Sequence, residues 1–315
     1  MIDDFGRKIK YLRLSVTDLC QYRCIYCMPC EGVAKMQHSQ MLSVDECIEV
    51  TRACVELGVE KVRLTGGEPL VRRGILDICA GIAAIEGVKE LCMTTNGALL
   101  PKYAKELKAA GVHRLNISMD TLDPEKFRRI TRVGELSQAL AGLEAAEEAG
   151  FTGTKINCVL VGGVNDDEIA AMAALTKDRD IDVRFIELRP IGECVGWEKE
   201  RFLGGEAVLK ALPEAKEVGH SGVARLYALP GHKGRIGLID PLSHKFCGDC
   251  DKIRITADGK LKPCLHSARE FDLKGLRGEE LKQAIAEGIA AKPQAHHMDA
   301  QHASESLRGM SKIGG

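Results

Sequence analysis

Apolar and polar positions alternate with two different periods over the first two-thirds of the chain. Where apolar residues recur every three or four positions, the pattern predicts helices. Cys47, Val50, Cys54 and Leu57 follow such a stripe. Ser43 and Glu46 stand before it as a capping box, and Gly58 supplies the stop. Leu136, Ala139, Leu140, Leu143 and Ala146 form a second stripe that ends at Gly150. Asn165 with Glu168 predicts the opening of a third helix, with Ile169 and Met172 facing inward. Between the helices lie short apolar runs that read as buried strands, at 11–15, 60–65, 89–94, 113–118, 154–161 and 181–187.

Six strands separated by helix-length crossovers predict a parallel sheet, either open or curled. The segments just after the strands are polar, Gly-rich or Cys-rich. They are a cysteine loop, GGEP (66–69), TNG (95–97), MD (119–120), GGVND (162–166) and RPIG (189–192). In a parallel sheet these loops share the carboxyl edge, where α/β folds place their sites. Six loops around one centre favour a partial (β/α)6 TIM-like barrel with one open side. After about residue 195 the alternation stops. The segment 223–238 predicts two strands around a Pro-Gly turn, 278–289 predicts a helix, and a polar tail follows. His296, His297 and His302 are expected to be exposed in that tail. The expected domains are 1–195, the barrel, and 196–315, an α+β cap over its open side.

Charge narrows the range of partners. Lys plus Arg number 44 against 45 Asp plus Glu, for a net charge of −1. A bulk electrostatic grip on nucleic acid or on an anionic membrane is not expected, although a local basic pocket is compatible with the balance. No apolar run approaches the roughly 18–20 residues that span a bilayer. The opening MIDDFGRKIK lacks the apolar centre of a signal peptide, so a cytoplasmic protein is expected.

The cysteines stand out, with 13 in 315 residues. An odd number in a reducing compartment argues against a disulfide framework. Cys47, Cys54, Cys79, Cys92, Cys158 and Cys194 are scattered through apolar segments and read as buried hydrophobes. The remaining seven fall into two groups. In the first, Cys20, Cys24 and Cys27 place three thiolates on one short loop. Structural zinc takes four ligands, and iron–sulfur clusters are ordinarily held by four thiolates. A [4Fe–4S] cluster held by three leaves one iron open, as binding of S-adenosylmethionine through its amino and carboxylate groups requires. Zinc remains the alternative, and Cys30 is a candidate fourth ligand that Pro29 disfavours. In the second group, Cys247, Cys250 and Cys264 again make three, with a Cys3His zinc knuckle using His244 or His266 as the alternative.

The segment SVTDLCQYRCIYCMP followed by GGEP resembles radical S-adenosylmethionine (radical SAM) enzymes. Within them the chain resembles the GTP 3′,8-cyclases of molybdenum cofactor biosynthesis. That likeness runs from DDFGR through YLRLSVTD, RLTGGEP, TTNG, KINCVLVGGVNDDE and RFIEL to FCGDCDKIRITADGKLKPCLH and the terminal MSKIGG. The resemblance implies two [4Fe–4S] clusters, one on each cysteine group, the second binding substrate through its open iron. It implies S-adenosylmethionine contacts at Tyr26, Gly67, Ser118 and the residue after RFIEL. There the family usually has Met and this chain has Arg189.

For GTP, the resemblance assigns Arg13, Arg63 and Lys155 as cations and Thr94 as a polar contact. Lys61 and Arg184 are placed similarly, each expected near the carboxyl edge of a strand. Lys252, Ile253 and Arg254 follow Cys250 and Asp251, where the family more often reads Asn-Arg-x-Arg. Gly162 stands where Arg is common. Gly314 and Gly315 would enter the barrel as a narrow tail. The implied reaction is that of a lyase. A 5′-deoxyadenosyl radical takes hydrogen from C3′ of GTP, C3′ attacks C8, and reduction gives the 3′,8-cyclised dihydro nucleotide. The implied partners are a reductant such as flavodoxin or ferredoxin and, downstream, cyclic pyranopterin monophosphate synthase, with a homodimer among the allowed assemblies. A peptide-modifying twin-cluster radical enzyme and a non-catalytic zinc- or cluster-binding protein are the alternative readings.

Overall fold

The computed structural model describes residues 1–34, 36–298 and 302–314. Six parallel strands come first: β1 (Tyr11–Ser15), β2 (Lys61–Thr65), β3 (Glu90–Thr95), β4 (Arg114–Ser118), β5 (Lys155–Leu160) and β6 (Asp182–Glu187). The helices between them are α1 (Val44–Glu56), α2 (Ile75–Ala83), α3 (Leu100–Ala109), α4 (Pro124–Thr131), α5 (Leu136–Glu148) and α6 (Ile169–Ala174). The start of α1 follows from its sequence. Ser43 Oγ accepts from the Glu46 amide while the Glu46 carboxylate accepts from the Ser43 amide. Pro124 opens α4, with Asp123 accepting from the Lys126 amide. Asn165 behaves differently from the helix cap it suggests. Its side chain donates to the carbonyls of Asp120 and Val159 and accepts from the Val161 amide, stitching two strand-end loops together.

Every second strand residue packs outward on the helices. Leu12, Leu14, Val62, Leu64, Leu91, Met93, Leu115, Ile117, Ile156, Val183 and Phe185 are buried in one continuous apolar core. The intervening positions face the barrel interior, and there the chain reads Tyr11, Arg13, Lys61, Arg63, Arg114, Asn116, Asn157 and Arg184. Apolar burial therefore holds the sheet from its outer face, which leaves the inner face open to chemistry.

Past residue 195 the chain adds α7 (Gly205–Ala211), β7 (Lys216–Ser221), β8 (Ala224–Ala228), β9 (Arg235–Ile239), β10 (Lys252–Ile255), β11 (Lys260–Lys262), β12 (Phe271–Asp272), α8 (Gly278–Ala290) and α9 (Met310–Ile313). This third of the chain joins the sheet at both ends. β9 pairs parallel to β6, with Arg184 opposite Gly237, and β10 pairs parallel to β1, with Arg13 opposite Arg254. The strand order is β12-β11-β10-β1-β2-β3-β4-β5-β6-β9-β8-β7. The result is a partial barrel that runs out into antiparallel strands at each edge. The segment expected as a cap thus also widens the wall. Among the described residues no helix is long and apolar enough to cross a membrane.

The six scattered cysteines are buried, as their apolar surroundings predict. His297 and His302 are exposed, but His296 is buried and its ring packs edge-on against His266 at 4.8 Å. The tail expected to be polar turns back into the molecule, burying Ile313 with Ile191, Leu265 and Met298.

Candidate active site

The loop after β1 carries Cys20, Cys24 and Cys27, and the loop after β2 holds it in place. The amides of Gly67 and Glu68 donate to the carbonyls of Thr17 and Leu19, each at 2.8 Å. A Cβ at Gly67 would lie 2.4 Å from the Leu19 carbonyl oxygen, so only glycine permits this approach. The Glu68 carboxylate accepts from Thr95 Oγ1 and the Asn96 amide, both at 2.7 Å, and joins the third loop to the first two. Burial pushes its pKa up to about 7. Tyr26 donates to Asp120 at 2.6 Å, two residues beyond Ser118 at the end of β4. Burial pushes the Asp120 pKa up to about 6.

Burial raises all three thiols, and neighbouring thiols and carboxylates add to it. Cys20 is pushed up to about 11 and Cys27 to about 12, and Cys24 rises through burial, Cys27 and Asp120. Sulfur ligands in such a field ionise only when a metal supplies the opposing positive charge. Cys30 is exposed, and its thiol donates to the Glu31 carboxylate at 2.7 Å.

A second centre lies deeper, in a cavity of 290 Å³ that opens onto Cys247, Cys250 and Cys264 together. Lys292, buried, donates to the carbonyls of Lys252 and Pro263, both at 2.8 Å. Burial works to raise the Cys250 thiol, but the Lys292 and Lys252 ammoniums outweigh it and bring it below its ordinary value. Among the described residues no three His, Cys, Asp or Glu donors surround a point that one metal ion could fill. Each group offers three thiols, the donor type by which iron–sulfur clusters are held.

Cations crowd the same cavity. Arg13, Lys61, Arg63, Arg114, Arg184, Arg189, Lys252, Arg254 and Lys292 line it, with Asp251 the one carboxylate among the lining residues. Burial lowers Arg189 to about 10, and Arg13 beside it acts the same way; Arg254 is lowered by burial, Arg13 and Arg189. Such mutual destabilisation of buried cations is relieved by an anion. Arg63 is aimed by its neighbours: Nε donates to Tyr11 Oη at 2.5 Å, and Nη1 to Thr94 Oγ1 at 3.4 Å. Burial works to raise the Tyr11 phenol, but the Arg63 and Arg13 guanidiniums bring it down to about 8.

Gly314 reaches this place from the far end of the chain. Its carbonyl accepts from Arg254 Nη1 at 2.8 Å and Arg13 Nη2 at 3.4 Å. Its φ is +76°, and a Cβ would lie 2.5 Å from Thr65 Oγ1. Gly315 lies outside the described residues.

Several expected residues sit elsewhere than the sequence suggested. Lys155 opens β5 at its amino end, and its ammonium is taken by the buried Asp182, which also accepts from Arg235 at 2.9 Å. It shares a strand face with Asn157 but is not among the residues lining the cavity. Ile253 is fully buried in the apolar core, its side chain turned from the cavity that Lys252 and Arg254 line. Arg189, matched to the S-adenosylmethionine contacts, lines the deeper cavity. Lys61 and Tyr11 open their strands, so the cavity extends to the amino ends rather than stopping at the carboxyl edge. At Gly162 a Cβ would lie 1.9 Å from the Glu200 carbonyl oxygen, so an Arg there needs a different course for that loop. Tyr11, Arg114 and Lys292 were missed. Only the strand alternation, read as an inward-facing polar row, could have found the first two.

Residues 14–176 match the radical SAM superfamily and residues 181–298 match Molybdenum Cofactor Synthesis C. The chain is 49% identical to GTP 3′,8-cyclase of Alkaliphilus oremlandii over the full length of both. It is 46% identical to GTP 3′,8-cyclase of Geobacter sulfurreducens, covering 99% of that protein. Among solved structures it resembles Streptococcus suis SuiB bound to its precursor peptide SuiA. The TM-score is 0.63 at 13% identity, over 91% of this chain and 67% of that one. Methylornithine synthase (PylB) gives 0.51 at 17% identity, over 66% and 63%. These two likenesses concern the fold.

Proposed function

The chain belongs to the radical SAM superfamily and, within it, to the GTP 3′,8-cyclase family, and on that premise we propose that it converts GTP to (8S)-3′,8-cyclo-7,8-dihydroguanosine 5′-triphosphate for molybdenum cofactor biosynthesis. The single observation that carries the reading is the deep cavity, where a thiol trio and a ring of cations share one wall. A triphosphate with about four negative charges meets that demand.

Cys20, Cys24 and Cys27 would hold one [4Fe–4S] cluster and Cys247, Cys250 and Cys264 a second. With S-adenosylmethionine bound, these groups supply the radical that takes hydrogen from C3′ and the electron that completes the C3′–C8 ring closure. The protein's own part is placement and shielding. Glu68 and Tyr26, fixed by Thr95, Asn96 and Asp120, would hold the strand-end loops in place around the first trio. Tyr26, Gly67 and Ser118 would contact S-adenosylmethionine there. Arg63, aimed by Tyr11 and Thr94, and Arg13, Arg254 and Lys252 bind the triphosphate. Arg184, Lys61 and Arg189 extend that grip. Enclosure by the barrel keeps water from the radical.

The domain reading follows: 1–195 carries the first cluster, and 196–315 the second together with the Gly314–Gly315 tail. The cell would use it in the cytoplasm with a flavodoxin- or ferredoxin-type reductant, ahead of cyclic pyranopterin monophosphate synthase.

The test is anaerobic incubation of the cluster-loaded protein with GTP, S-adenosylmethionine and reductant, followed by mass analysis. A cyclised nucleotide isomeric with GTP is expected, because the hydrogen atom lost from C3′ is balanced by one electron and one proton. It is separated from GTP by chromatography and by its changed absorbance, with one 5′-deoxyadenosine formed per product. Cleavage of S-adenosylmethionine with GTP recovered intact points to another radical enzyme.

A further inference from the structure

We infer that Arg308 is the positioning residue that sets how far the C-terminal segment reaches into the barrel, an inference that rests on the reaction proposed above. Its guanidinium is held by two carboxylates at once. Nη1 and Nη2 donate to the two oxygens of Asp258, both at 2.9 Å, and Nε and Nη2 donate to the two oxygens of Glu270, both at 2.7 Å. A lone surface ion pair holds little. Here the pair of forks fixes the plane of the guanidinium as well as its position.

The receptor is itself fixed. Thr256 Oγ1 donates to Asp258 at 2.5 Å. Lys262, fully buried, donates to the Ser267 carbonyl at 2.7 Å and to Glu270 at 3.3 Å. All of these belong to the β10–β12 region, the strands that follow Cys250 and flank Cys264. The clamp therefore ties the tail to the wall that carries the second thiol trio.

From the clamp to the tip the segment is short, and packing fixes its course. Residues Met310–Ile313 form the single helical turn of α9, and Ile313 is anchored among Ile191, Leu265 and Met298. Gly314 follows, with its carbonyl on Arg254 and Arg13. A shift at Arg308 is transmitted through one helical turn to the Gly314 carbonyl, and so to where the tip of the tail stands in the barrel. Arg308 is not among the residues lining the cavity, so its effect there would pass through Gly314.

Two measurements test this. In the full chain, Arg308→Ala should lower kcat for the cyclised nucleotide at least tenfold. The KM for GTP, the iron content and S-adenosylmethionine cleavage should stay as in the parent. Unchanged kcat overturns the inference, and so does a joint loss of kcat and iron, which marks a merely structural role. The second measurement does not depend on turnover. A chain ending at Leu307 is titrated with a fluorescently labelled peptide Arg-Gly-Met-Ser-Lys-Ile-Gly-Gly and with its Arg308→Ala and Arg308→Lys versions. The parent peptide should bind at least tenfold more tightly than either, because a lysine keeps the charge but lacks the fork. Equal affinities, or binding by none of the three, overturn the inference. If the parent enzyme yields no cyclised nucleotide, the proposed reaction fails, while the peptide ratio still decides the role of Arg308.

Discussion

Around Cys20, Cys24 and Cys27 the neighbouring ionisable groups are chiefly other thiols and the carboxylates Glu68, Asp120 and Glu193, whereas Cys250 lies against Lys292 and Lys252. Both are trios of sulfur in one barrel, yet the charges beside Cys250 are opposite in sign to those beside the first trio. The first region suits a sulfonium, a cation that its carboxylates attract. The second suits a polyanion, which its guanidiniums and ammoniums need. On the proposed assignment, fixed charge at the two places would sort the two ligands before any specific contact forms.

The largest expected effect is a complete separation of the two regions. Alanine at Cys20, Cys24 or Cys27 should abolish reductive cleavage of S-adenosylmethionine. Alanine at Cys264 should leave cleavage measurable and remove only the cyclised product. Cys30→Ala should keep the full iron content of both clusters, measured on anaerobically purified protein. Loss of one cluster's iron in that variant assigns Cys30 to the first set.

Next comes the tail. Deleting Gly314 and Gly315 should cost about a hundredfold in product formation, the scale of a small misplacement of reacting groups. GTP binding and the melting temperature should stay close to the parent values. Full activity after the deletion makes the segment a mere terminus.

Third is a contrast within the cations. Arg63→Ala should weaken GTP binding by roughly ten- to a hundredfold, corresponding to about 1.5–3 kcal/mol for a charge-assisted contact, and leave S-adenosylmethionine binding unchanged. Lys155→Ala should instead lower folding stability by about 3 kcal/mol, the low end for a broken buried pair, because Asp182 keeps Arg235 and Arg184 as partners. Calorimetry for binding and denaturant melts for stability check the pair. Equal effects on both readouts erase the distinction drawn between the two residues.

The smallest effect is one of pH. Tyr11 is a neutral phenol below about 8 and an anion above it, beside Arg13, Arg63, Lys61, Lys252 and the Cys92 thiol. As pH rises through that value the phenolate cancels one positive charge of the cavity, so GTP affinity should fall a few-fold. Tyr11→Phe should flatten the fall. A parent profile that stays level to pH 9 removes Tyr11 from any role in the charge balance.

Much of the fold was legible because the outer strand positions are apolar and the helix ends carry their own caps. The six central strands, the α1 box and the stop at Gly58 follow from local pattern alone. What stayed hidden depends on contacts between distant segments. Lys292 lies just past α8 with no pattern to mark it, and its role exists only because β10 brings Cys250 alongside. Arg189 could be matched to the family position but not aimed, since its reach depends on the length of its side chain. His296 looked solvent-exposed among polar neighbours until the chain folded it against His266. Lys155 carried the right charge on the right strand face, yet its partner Asp182 sits on the next strand, where no spacing rule reads it.

The pairing of β10 with β1 has a consequence for how the protein is made. Tyr11 lies opposite Lys252, so one edge of the first strand waits for a partner that leaves the ribosome late. At about 5–20 residues per second, that edge stays unpaired for roughly ten to fifty seconds of synthesis. During that interval the row bearing Leu12 and Leu14 can pair with strands of other chains. Yield in the cell should therefore respond to translation speed and to chaperones that shield the nascent edge, and a chain cut before residue 252 should aggregate although its six central strands are all present.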